Sequence, residues 1–114
     1  MLPALLSPST RRERPEVAER VRAMIQGTSP RTVVAALAGM AARRDATGQL
    51  ADIRVPTLVI VGAEDPITPP SDARAMADAI PAARLVVVEG AAHLPGLEQP
   101  GAVNGPIAEF LQEL

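Results

Sequence analysis

Apolar positions along the chain change their rhythm near the middle, and that change organises the reading. From Pro15 onward Val17, Val21, Met24 and Ile25 recur at helical spacing, with Glu16 and Glu19 near the first turn. Gly27 closes this helix, and Ser29-Pro30 supplies a helix cap and first residue for the next. There Val33, Val34, Leu37, Met40 and Ala41 form a stripe that ends near Arg44. Two amphipathic helices on a short link predict a helical hairpin. Residues before Arg14 are rich in Pro and Ser and read as an irregular lead-in. Asp45 to Gly48 reads as a loop, with a brief turn around Leu50–Ile53.

Beyond this point the period of 3.6 gives way to an uninterrupted β-branched run, Val55 to Gly62. Such a run is expected of a strand buried on both faces of a parallel sheet. Pro66, Pro69 and Pro70 mark a loop. A helix follows, with Ala73, Met76, Ala77 and Ile80 on one side and Arg74 facing Asp78 on the other. Leu85–Val88 predicts a second strand, Gly90–Pro100 a long loop, and Val103, Ile107, Phe110, Leu111 and Leu114 the buried stripe of a last helix. The expected fold class is α/β, with residues 1–52 as lead-in and helical hairpin and 53–114 as a β-α-β-α unit with parallel strands. Two strands with two open edges do not finish a sheet, so further strands must come from elsewhere or from copies of the chain.

Composition narrows the chemistry. The 114 residues are 47% apolar and 21% charged, and Gly (8) and Pro (12) together stay below the roughly 25–30% share that signals disorder. With no Cys, thiolate catalysis and disulfides are excluded, and a single His argues strongly against a zinc site. A net charge of −2 and a single aromatic residue, Phe110, argue against nucleic acid as a partner. No apolar run approaches the ~20 residues of a membrane-spanning helix. The opening Met1–Leu6 lacks a basic stretch and is broken by Pro3 and Pro8, so no leader is read there and the expected location is cytoplasmic. All eleven basic residues are Arg, which reads as codon bias.

In a β-α-β unit both strands end at the same sheet edge, where open α/β folds bind ligands. Asp65 lies three residues past the first strand's Gly62, and His93 four past Glu89 at the end of the second. Neighbouring strands run about 4.8 Å apart, so loops of these lengths can bring the carboxylate to the imidazole. A carboxylate on one ring nitrogen fixes the tautomer and frees the other to take a proton from a nucleophile. The plainer readings are turn chemistry for Asp65 before Pro66 and a surface loop position for His93. The neighbouring Glu64 reads as solvated, Arg11, Arg12 and Arg14 as a solvated charge run, and Glu98 as favouring the start of the last helix. Met24, Met40 and Met76 read as packing residues, and Gly62 and Gly90 as turn glycines at strand ends.

The motifs VPTLVIVGAEDPITPP, with Asp65, and VEGAAHLPGLEQP, with His93, resemble the C-terminal end of an α/β-hydrolase. Their wording is closest to the 3-oxoadipate enol-lactonase-like branch. The family's triad runs Ser, acid, His along the chain. The resemblance therefore implies Asp65 as the acid and His93 as the base, with the helical hairpin matching the end of the cap region. It implies hydrolysis of a small ester or lactone, without a cofactor. The related dehalogenase, haloperoxidase and carbon–carbon hydrolase chemistries stay open. The family's G-x-S-x-G nucleophile motif is absent: Ser7 and Ser9 lie in the lead-in, Ser29 caps a helix, and Ser71 sits in the first turn of the crossover helix. Three readings follow. The chain is an enzyme part inactive without an N-terminal half, a non-catalytic fragment that self-associates or completes a partner's sheet, or the end of a longer protein in which Met1 is an internal residue.

Overall fold

The computed structural model describes residues 2–114; Met1, where the lead-in reading begins, lies outside them. Two short helices, α1 (Leu2–Leu5) and α2 (Pro8–Glu13), precede α3 (Pro15–Gln26) and α4 (Pro30–Ala42). A 3₁₀ turn (Thr47–Asp52) leads into β1 (Thr57–Gly62), α5 (Pro70–Ala79), β2 (Ala83–Val88), α6 (Pro95–Glu98) and α7 (Pro100–Gln112). The strands pair in parallel, from Thr57 opposite Ala83 to Gly62 opposite Val88. The fold is the expected α/β arrangement.

The lead-in is not irregular. Ser7 is the N-cap of α2, its hydroxyl accepting the Thr10 N–H at 3.2 Å, with Pro8 in the first turn. This is the same Ser-Pro start signal that Ser29 and Pro30 supply for α4. Leu6 is fully buried against Val17 and Val21 of α3, which ties this segment to the first helical layer.

The second layer is the sheet. Ile60 and Val86, paired across the ladder, pack with Val88, Ala91 and Val103, so α7 covers that face. Val59 and Val61 alternate onto the other face, where they line a cavity of about 470 Å³ with Ala73 and Met76 of α5. Only Val61, Gly62 and Val88 of the two strands are buried. The apolar runs thus call for more covering than these elements supply.

Several expected stripes are wider than the core that meets them. On α4 no residue is buried, and Val34, Leu37 and Met40 are 66%, 56% and 57% exposed. α3 and α4 do not lie along each other as a hairpin would. On α7 Val103 is buried, whereas Ile107 and Leu111, and Leu114 beyond the helix end, are exposed. Met24, Met40 and Met76 are exposed and belong to no buried core, although Met76 lines the cavity beside β1. Arg74 and Asp78 form no ion pair; both are exposed, where solvation and side-chain entropy offset the small Coulomb gain. Arg14 is not simply solvated: its guanidinium donates to the Glu98 carbonyl oxygen at 2.8 Å.

Candidate functional site

The site is assembled where β1 and β2 end together. The ladder continues past the strands: the Ala63 N–H donates to Val88 O and the Glu64 N–H to Ala91 O, both at 2.9 Å. Gly62 permits this approach. A Cβ there would fall inside van der Waals contact of the carbonyl oxygens of both Ala91 and Ala92. Its role is therefore close backbone approach and not a turn. Gly90 does make a turn, with φ of 73°, and its carbonyl accepts the Ser7 hydroxyl at 2.8 Å.

Three residues beyond Gly62 the chain folds back, and Asp65 closes the loop with its own side chain. Its Oδ1 accepts the N–H groups of Ile67 (2.9 Å) and Thr68 (3.1 Å), and its Oδ2 accepts the Thr68 hydroxyl (3.0 Å). The same Oδ2 lies 3.0 Å from His93 Nδ1. Turn chemistry and imidazole contact thus coexist on one carboxylate. The Asp65 side chain is 5% exposed and that of His93 33%. Burial acts most strongly on Asp65 and would raise its pKa. The donors Thr68 N–H, His93, Ile67 N–H and the Thr68 hydroxyl together outweigh it and hold the carboxyl below its ordinary value.

An ionised carboxylate only accepts, so the hydrogen in the His93 contact sits on Nδ1. In the neutral ring Nε2 then carries the lone pair. This arrangement can accept a proton from a hydroxyl at Nε2 and hold the resulting imidazolium beside a negative charge. Glu64 is exposed, as expected. Among the described residues no group of His, Asp and Glu has the geometry to hold a metal ion. The 470 Å³ cavity includes Thr68 but neither Asp65 nor His93, and lies between β1, α5 and the 3₁₀ turn.

Glu98 is where expectation and structure part most. It does not serve the start of α7. Its side chain is completely buried, with Oε1 accepting the Ser7 N–H at 2.6 Å and Oε2 the N–H groups of Ala92 (2.8 Å) and Leu94 (3.2 Å). The signal for it was thin: an acidic residue five positions after the single His, inside a Pro-rich loop. None of the four serines is presented as a nucleophile. Ser7 is buried, bonded to Gly90, Thr10 and Ser9; Ser9 is half-buried in α2 with its hydroxyl against that of Ser7; Ser29 is an exposed cap; Ser71 is exposed in the first turn of α5.

Residues 24–114 match the α/β-hydrolase family model described as "TAP-like protein". The chain belongs to the α/β-hydrolases. It superposes on a thermophilic esterase from Thermogutta terrifontis with a TM-score of 0.95 and 46% identity, over 99% of this chain and 42% of that one. It is 37% identical over 71 residues to 3-oxoadipate enol-lactonase 2 of Acinetobacter baylyi, covering 62% of this chain and 26% of the relative. It is 42% identical over 59 residues to the Mycobacterium tuberculosis protein named "Putative non-heme bromoperoxidase BpoC", covering 52% and 22%. The hydrolase chain thus spans less than half the length of each of these relatives, and its elements correspond to the C-terminal part of the fold. No described helix is long and apolar enough to cross a membrane.

Proposed function

We propose that the chain supplies the acid–base half of a serine-type α/β-hydrolase acting on a small carboxylic ester or lactone. The observation that carries this reading is the Asp65–His93 hydrogen bond at the shared end of two adjacent parallel strands. The esterase and the enol-lactonase among its relatives support the substrate class. Asp65 holds Nδ1–H, and Nε2 of His93 takes the proton from a serine hydroxyl as its oxygen attacks the acyl carbon. The imidazolium returns that proton to the departing alkoxide oxygen, which remains tethered if the substrate is a lactone. Water then attacks the acyl-serine with His93 again as base, releasing the acid and the serine. The cycle calls on no cofactor. The serine comes from a segment bearing G-x-S-x-G, a motif this sequence does not contain. Alone, the chain is inactive.

Intact-mass labelling with a fluorophosphonate tests this directly. The chain alone takes no adduct. Mixed with an N-terminal esterase segment that carries the elbow, it yields an adduct on that segment and ester hydrolysis, and His93→Ala lowers the rate by about 10²–10⁴-fold or more. An adduct on the chain alone that depends on His93 would overturn the split-site reading. The exposed Val34, Leu37 and Met40 favour a second reading, a non-catalytic module that self-associates or completes a partner's sheet. Association without any activity on mixing would select it.

A further inference from the structure

We infer that Glu98 is the positioning residue of His93, fixing the backbone from which the imidazole reaches Asp65. The inference rests on the reading of His93 as the proton-transfer group, and it concerns a residue that touches neither substrate nor ring.

The loop after β2 would ordinarily leave its N–H groups to water. Here three consecutive ones are held. Those of Ala92 and Leu94, flanking the histidine, donate to one oxygen of Glu98, and that of His93 itself donates to Leu5 O at 3.0 Å. The other Glu98 oxygen accepts from Ser7, two residues past Leu5. The carboxylate therefore closes a ring of contacts that joins both sides of His93 to the segment between α1 and α2. Its own backbone is held in turn by the Arg14 guanidinium on the Glu98 carbonyl oxygen. With the backbone fixed, only the side-chain torsions of His93 are left for Asp65 to set.

The chemistry of the acceptor is specific. Burying a carboxylate is costly unless hydrogen bonds replace its water, and three donors converge here. A glutamine of the same shape has one acceptor oxygen. Its amide nitrogen would confront either the Ser7 N–H or the Ala92 and Leu94 pair, donor against donor. An apolar side chain would leave all three donors orphaned.

A residue that merely adds stability changes the melting point but not the imidazole. A positioning residue changes the ring's tautomer. The test is ¹⁵N NMR of the His93 ring in the full chain at about pH 8.5, above the ordinary imidazole range. The wild-type protein shows the Nδ1–H form in excess, and Asp65→Asn, which replaces the carboxylate acceptor, defines its loss. In Glu98→Gln the ratio of Nδ1–H to Nε2–H falls about fivefold or more, the scale of one lost hydrogen-bond restraint. A wild-type ratio in Glu98→Gln, with the β1–β2 amide resonances intact, overturns the inference. Should that variant not fold, Glu98→Asp, which withdraws the oxygens by one methylene, is read the same way. Amide exchange in the wild-type chain decides independently of any variant: Ala92 and Leu94 are protected, and exchange at open-loop rates overturns the assignment. None of these readouts uses activity. A tautomer shift without hydrolysis on mixing therefore refutes the hydrolase reading and leaves the positioning role, and the converse result does the opposite.

Discussion

At Gly62 a hydrogen stands where any other residue would place a carbon against the carbonyl oxygens of Ala91 and Ala92. Because those oxygens are backbone, they cannot swing aside, and the loop carrying His93 must move if the space is taken. Gly62→Ala should therefore lower stability by about 2 kcal/mol or more, as overpacking does, and lengthen the Asp65–His93 contact. Urea unfolding checks the first part, and an unchanged midpoint would show that the two loops yield. Asp65 itself carries a pH signature. Its folded pKa lies below the unfolded value near 3.9, so its contribution to stability is complete above that value and disappears as the pH falls through the folded one. The stability difference between wild type and Asp65→Asn should be constant from about pH 5 to 6 and shrink steadily below about pH 4. A difference that persists unchanged at pH 3 would mean that the hydrogen bonds do not favour the ionised carboxyl.

The elements differ in how legibly they were written. The strands, the crossover helix and the last helix were readable from apolar runs and Pro boundaries because each depends on local pattern. So was the placement of Asp65 and His93 near one another, since parallel strands end at the same edge. The opening helices are hidden by a run dense in Pro and Ser, which also suits a loop, although Ser7-Pro8 carries the same cap chemistry as Ser29-Pro30. The contacts of Glu98 lie beyond local pattern, since its donors at Ser7, Ala92 and Leu94 come together only in three dimensions. The two caps offer a matched test. Ser7 is buried and also bonds the Gly90 carbonyl, whereas Ser29 caps a helix with no buried residue. Ser7→Ala should cost about 2 kcal/mol and Ser29→Ala at most about 1, by chemical denaturation of each variant. Equal losses would mean that the contact to Gly90 adds nothing to the cap.

For the molecule as a whole the decisive quantity is apolar surface without a neighbour. The sheet has two strands and two open edges, most strand residues are only half-buried, and α4 holds Val34, Leu37 and Met40 out toward solvent. Scattered apolar side chains are ordinary on a surface, but a contiguous helical stripe together with an unfinished sheet drives association. The whole chain superposes on 42% of an esterase, so the rest of such a fold is the occupant these surfaces suit. In sedimentation velocity the isolated 11.9 kDa chain should show an average mass that rises with concentration. Adding an N-terminal esterase segment should replace that series with a single one-to-one complex. Charging the stripe by Leu37→Glu and Met40→Glu should weaken self-association while leaving the Asp65–His93 contact, which lies on other elements, in place. An isolated chain that stays monomeric at every concentration, with a cooperative unfolding transition, would show that two strands and their helices suffice. The split-site reading would then lose its structural motive, and only the missing serine would still argue for a second segment.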